Sequence, residues 1–303
     1  MTKGIDRREF AKLIGLGGVV FASGLVNPLA GSAARAAAMA DDFFFVQLSD
    51  THWGFKGKPN PEAEHTFPMA IKAVNELPEQ PDFIVFTGDL THTTDDVAER
   101  KKRMTEFKEM LKGLKTQRIY LMPGEHDGSL DKSAAFKEIL HPETHYTFDH
   151  KGVHFIVLDN VSDPGAALGD EQLAWLADDL KKQKPETRIV VFTHRPLFDL
   201  YPQWDWATRD GAKAVDLLMP HKNVTVFYGH IHQENHHMTG HIAHHSAKSL
   251  VFPLPAPGSQ EKRTPLAWDP NHPFKGLGWR EVTAEAKKGD YRILEIPVNK
   301  AEA

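Results

Sequence analysis

Cysteine is absent from the 303 residues, which excludes a disulfide framework and any thiolate metal site, so a metal here must be held by nitrogen and oxygen. A basic surplus is missing too. Asp and Glu number 41 against 36 Lys and Arg, and the net charge of -5 offers no cationic stripe for a phosphate backbone, which argues against nucleic acid as a partner. Internal repeats and acidic tails are also lacking. What remains is ordinary globular composition, 41% apolar and 25% charged, over a length that suits one large α/β domain or two small ones. The histidine content is unusual, with 18 residues.

The N-terminal 1–40 stretch pairs Arg7 with Arg8 ahead of Phe10 and Lys12, then runs through a short Gly-broken apolar segment to small residues at Ala38–Ala40. It resembles a twin-arginine export signal, whose machinery carries proteins already folded. A membrane anchor or a chance Arg pair on a cytosolic helix are the alternatives, and the short apolar run and Ala-rich end argue for cleavage and no permanent span. The expected address is the periplasm or the exterior, and residues 41–303 are expected to form one catalytic domain.

Past residue 41, short β-branched or aromatic runs alternate with longer amphipathic ones, the pattern of an α/β chain. The strands expected are FFFVQLS, FIVFTG, RIYLM, YTFDH, VHFIVLD, RIVVFTH, NVTVFYG, SLVFPL and YRILEIPV. Helices are expected near 62–77, 97–114, 133–140, 171–182 and 207–219. YTFDHKGVHFIVLD reads as a hairpin turning at Lys151-Gly152, so the sheet is mixed. The Pro- and Gly-rich 253–278 stretch reads as a surface loop, and the aromatics of YPQWDWATRDG as a cap on the core.

Five apolar strands each end on metal-type side chains. VQLSDTHWG ends on Asp50 and His52, FIVFTGDLTH on Asp89, IYLMPGEHD on Glu125, His126 and Asp127, IVVFTHRP on His194, and VTVFYGHIH on His230 and His232. A lone histidine after a strand is ordinarily a hydrogen-bonded loop residue. Five such endings on the carboxyl edge of one sheet, where open α/β sheets hold ligands, need a counter-charge. Asp50, His52, Asp89, Glu125, His194, His230 and His232 exceed what one tetrahedral zinc uses and suit two ions sharing a carboxylate.

Asp50-x-His52, Gly88-Asp89, Gly124-x-His126-Asp127, His194 and Gly229-His230-x-His232 resemble, in order and spacing, the calcineurin-like metallophosphoesterase superfamily over 43–233. VQLSDTHWG and GDEQLAWLADDL look most like the branch with bacterial cyclic-nucleotide phosphodiesterases. The resemblance implies a four-layer αββα sandwich with two mixed β-sheets, an α/β fold of the α+β type. It implies a first metal on Asp50, His52 and His232, Asp89 bridging, and a second metal on His194, His230 and the side chain at 125. A metal-bridging hydroxide would attack phosphorus, with His126 at the leaving oxygen as general acid or charge stabiliser and Asp127 orienting it. The implied substrate is a small phosphate ester, a diester rather than a monoester.

Position 125 departs from the asparagine usual in that family. An ionised Glu125 removes one unit of positive charge from the site, weakening its pull on an anion, and a trivalent ion would restore it. Iron paired with iron, manganese or zinc is therefore the expected cofactor. Glu125 and the surplus histidines at 236, 237, 241, 244 and 245 also motivate an alternative, a non-catalytic periplasmic metal-binding protein. Those five histidines are expected to decorate an exposed strand pair, with one or two reaching substrate. His92 and Arg195 are expected either beside the phosphate or at the surface.

Overall fold

The computed structural model describes residues 42–163, 165–285 and 291–299. The expected twin-arginine segment therefore lies outside the described residues.

Two mixed sheets carry the chain. The first has the order β11-β10-β1-β2-β3, built from β1 (Phe43–Leu48), β2 (Phe83–Thr87), β3 (Ile119–Met122), β10 (Gly278–Ala284) and β11 (Tyr291–Pro297). The second, β4-β5-β6-β7-β9-β8, uses β4 (Tyr146–His150), β5 (Val153–Val157), β6 (Arg188–Phe192), β7 (Asn223–Tyr228), β8 (Asn235–Thr239) and β9 (Ile242–Ser246). Strands β1, β2 and β3 run parallel, as do β5, β6, β7 and β9, while the remaining partners are antiparallel. At the expected hairpin Lys151 and Gly152 both have positive φ (44° and 75°), the type I′ geometry that matches strand twist.

Alternation along each strand sorts its side chains into layers. Val46, Leu48, Ile84 and Phe86 face outward onto α1 (Ala63–Asn75) and α2 (Val97–Leu111) through Phe67, Val74, Met104 and Phe107. Phe45, Phe83 and Val85 face inward, against Phe155, Phe192 and Phe227 of the second sheet. Ile156, Ile189, Val191 and Val226 cover α5 (Gly169–Leu180) and α6 (Gly211–Leu218), so the layers are α, β, β, α. Two short helices, α3 (Glu125–Gly128) and α4 (Ala134–Ile139), follow β3.

Two expectations fail. SLVFPL forms no strand, because its backbone serves the loops: Leu250 N–H donates to Ser49 O and Asp50 O, and Val251 O accepts from Asn60. Strand β10, unforeseen after the Pro/Gly-rich loop, pairs with β1 instead.

Candidate metal centre

The carboxyl ends of β1, β2, β3, β6 and β7 meet where the two sheets approach, and the side chains expected there do meet. Asp50, His52, Asp89 and His232 offer donor atoms within 4.8 Å of one another, and so do Asp89, Glu125, His194 and His230. Asp89 belongs to both groups. Its Oδ2 lies 3.4 Å from His52 Nε2 and 3.4 Å from His194 Nε2, while His232 Nε2 stands 3.4 Å from Asp50 Oδ1.

Local backbone geometry makes the convergence possible. Asp50, His52, Asp89, His230 and His232 all take positive φ between 44° and 65°, a conformation that costs a non-glycine residue free energy and that clusters at functional sites. Gly124 must be glycine, because a Cβ there would sit 2.1 Å from Asp89 N and 2.2 Å from its Oδ1.

Outer hydrogen bonds aim the rings. His194 Nδ1 bonds Thr87 O at 2.7 Å and His232 Nδ1 bonds Phe252 O at 2.8 Å, each aiming Nε2 into the cluster. His52 Nδ1 meets His92 Nδ1 at 3.2 Å. The Asp50 carboxylate accepts from Ser49 Oγ and His230 N, and Asp89 Oδ1 accepts from His126 N at 2.8 Å.

The donors fit a metal. His52 Nε2 and His230 Nε2 are buried atoms without a hydrogen-bond partner, a costly state for polar atoms unless a cation takes the lone pairs. The electrostatics agree. Burial holds His52 well below the usual imidazole range, keeping it neutral as a ligand must be. Burial would raise Asp89 and Glu125, yet the surrounding imidazoles, His194 for Asp89 and His230 for Glu125 foremost, hold both carboxyls well below their usual range. Burial pulls His194 down, but the carboxylates of Asp89 and Glu125 outweigh it and hold it well above 6.5. The pocket is arranged for positive charge.

Glu125 points into this cluster. Its Oε2 lies 2.7 Å from His194 Nε2 and 3.2 Å from His230 Nδ1, and its Oε1 takes Arg195 Nη1 at 2.5 Å. Arg195 is accordingly buried, 4% exposed, rather than at the surface.

The role expected of Asp127 is corrected. Its carboxylate accepts from Leu90 N, Thr91 N, Thr91 Oγ1 and Gly124 N, tying the turn after β2 to the turn after β3, and burial with the neighbouring Asp89 charge pushes its pKa up to about 6. His126 is oriented instead by Thr93, whose N–H donates to Nδ1 at 3.1 Å and so leaves the ring proton on Nε2. His126 and His92 form a third group with His52, their rings 4.4 Å and 5.4 Å from that of His52.

The later histidines divide: His236 and His241 are exposed, as expected of an exposed strand pair, and His237 is half-buried. His244 and His245 are buried because β9 lies between β7 and β8, His236 Nδ1 meets His245 Nδ1 at 2.7 Å, and His237 stacks on Phe198. Among the described residues none of them joins a metal-type group. The aromatics of YPQWDWATRDG do cap the core, Trp204 and Trp206 packing with Tyr228 and Ile231 beside the His230 turn.

Sequence reasoning missed Asn160, at the end of β5 on this same edge. Its Oδ1 accepts from His194 N and Arg195 N, and its Nδ2 donates to Arg195 O and Thr208 Oγ1. The Asp159-Asn160 pair closing VHFIVLD was the available signal.

Residues 45–234 match the family model described as calcineurin-like phosphoesterase. A protein of Arcobacter nitrofigilis named "Probable glycerophosphodiester phosphodiesterase" is 30% identical over 161 residues, 50% of this chain and 56% of its own length. One of Rhodococcus erythropolis named "Probable cyclic nucleotide phosphodiesterase" is 29% identical over 202 residues, 62% of this chain and 64% of its own. The chain thus spans between about half and two thirds of the length of these curated relatives. A dimetal phosphatase from Danio rerio shares the fold, with a TM-score of 0.58 at 14% identity over 85% of this chain and 99% of that one.

Proposed function

This chain belongs to the calcineurin-like phosphoesterase family, and we propose that it is a metal-dependent phosphoric ester hydrolase acting on small phosphate diesters. The observation that carries this reading is the pair of donor groups sharing Asp89. Two ions bound there supply Lewis acidity to the phosphoryl oxygens and an acidified water as nucleophile.

The protein's own residues do the rest. Asp50, His52 and His232 would hold one ion, Glu125, His194 and His230 the other, and Asp89 belongs to both groups. His126, with its proton on Nε2, is placed to donate a hydrogen bond to the leaving oxygen and stabilise its charge while Thr93 N–H fixes the ring. Asp127 acts as a clamp on the two turns that carry Asp89 and His126. Phosphodiesterase names on the curated relatives support a diester over a monoester. A cavity of about 370 Å³ borders Phe252, whose ring packs on His52 and His232, and its lining of Trp268, His272 and Lys275 suits the organic part of such an ester.

The reading extends to residues outside those described. Residues 1–40, with Arg7-Arg8, serve as a twin-arginine signal, and 41–303 act as one catalytic domain in the periplasm or the exterior. Among the described residues no helix is long and apolar enough to cross a membrane.

The test is hydrolysis of a chromogenic diester and monoester by protein loaded with manganese, zinc or iron, beside Asp89→Ala. Turnover of the diester that the variant loses supports the proposal. Equal inertness of both proteins under every metal overturns it.

A further inference from the structure

We infer that Arg195 is a built-in counter-cation for Glu125, so that a carboxylate in the second donor set carries the charge of a neutral ligand and the site works with two divalent ions. The inference rests on the two-ion reading of the site.

The two oxygens of Glu125 are divided. Oε2 faces His194 and His230, and Oε1 faces Arg195 Nη1 at 2.5 Å. The remaining guanidinium contacts go to the carbonyls of Ala207 and Asp205 and, at 3.3 Å, to the Asp205 carboxylate. The Asp205 side chain is 86% exposed, where water screens it, so Glu125 is the anion that offsets the buried charge of Arg195. The pairing is built into the chain path. His194 and Arg195 are consecutive, and Asn160 binds both backbone N–H groups, so one turn delivers a metal-type nitrogen to Oε2 and a fixed cation to Oε1.

The charges then balance. Two divalent ions against Asp50, Asp89 and Glu125 leave one positive charge, and a hydroxide would reduce it to zero. The guanidinium returns one unit without a change of metal. The ground for a trivalent ion, an uncompensated Glu125, is thereby removed. Arg195 acts through Glu125 and is a positioning residue, not a catalytic one.

The prediction is a pair of effects of opposite sign. In Glu125→Gln the unpaired guanidinium repels the second ion, so its dissociation constant rises about tenfold or more, while inorganic phosphate binds the metal-saturated protein more tightly. Arg195→Met leaves the carboxylate uncompensated, so the second ion holds as tightly or tighter and phosphate binds about tenfold more weakly. The double variant restores both constants to within about threefold of the original. Calorimetric titration of the apoprotein with Mn²⁺ and of the Mn²⁺-loaded protein with phosphate reads all four proteins. A structural role alone would weaken both ligands in both single variants. Two equivalents of Mn²⁺ bound by the unaltered protein, with same-sign effects in the two single variants or a double variant no better than the worse single one, overturn the inference while leaving the two-ion reading intact. No Mn²⁺ uptake by any of the four proteins overturns both.

Discussion

Thr93 sets what His126 can do. By donating to Nδ1 its backbone N–H forces the neutral ring to carry its proton on Nε2, the state that donates a hydrogen bond to the leaving oxygen. His126→Ala is therefore expected to lower kcat by about 10²- to 10⁴-fold while leaving metal content unchanged, since the ring lies outside the two groups that share Asp89. Steady-state kinetics beside elemental analysis checks this, and a parallel loss of metal would make His126 a ligand instead. Individual residues differ in how openly the sequence shows their work. Asp50, His52, Asp89, His194, His230 and His232 were legible because each interrupts an apolar run at a strand end. Arg195, Asn160 and Thr93 were not, because an arginine after a histidine, an asparagine after an aspartate or a threonine in a turn is ordinary loop chemistry. Their roles come from the second sheet and from neighbouring turns, partners distant in sequence. Asp127 was misread for the same reason, as its four donors come from Leu90, Thr91 and Gly124 rather than from the ring beside it.

Strands here do two jobs, holding the sheets together and spending their last residues on the site. Phe45 of β1 is fully buried and stacks on Phe83 at 4.9 Å while meeting Phe155, Phe192 and Phe227 edge-on across the sheets. Phe45→Ala should cost about 3–5 kcal/mol of unfolding free energy in urea denaturation. Strand β9 makes a pH-dependent contribution. Burial lowers His244 to about 3 and His245 to about 2 from a usual 6.5, and neither ring nitrogen of His244 has a partner. Above pH 6.5 neither state binds a proton there and nothing is lost. Below it the unfolded chain takes up protons that the folded chain refuses, so stability falls with pH by up to about 1.4 kcal/mol per unit for each ring. His244→Phe should flatten that acid limb, measured as the difference in denaturation midpoint between about pH 7 and pH 5, and an unchanged limb would show that burial of His244 is not its cause. Strand β10 escaped sequence reading because Arg280 and Glu281 break its apolar pattern, and SLVFPL was misassigned because its carbonyls, among them the Phe252 O that holds His232, are used by the site.

At the scale of the molecule, layering explains why one edge collects the chemistry. Three parallel strands of the first sheet and parallel β6 and β7 of the second send their carboxyl ends to the same place, so ligands from 50 to 232 in sequence meet in space. The four-layer order followed from the family resemblance, and the inward and outward faces of β1 and β2 reproduce it. The proposed export belongs to the whole chain as well. Replacing Arg7 and Arg8 together with lysine should hold the protein in the cytoplasm, measured by fractionation and by the size of the accumulated chain, whereas continued export would remove the twin-arginine assignment.

The measurement closest to the central claim is anomalous diffraction from crystals of the metal-loaded protein, recorded at the absorption edge of the metal supplied. Two peaks about 3.5–4 Å apart with the Asp89 carboxylate between them are expected. A single peak, or two that do not share Asp89, would contradict it.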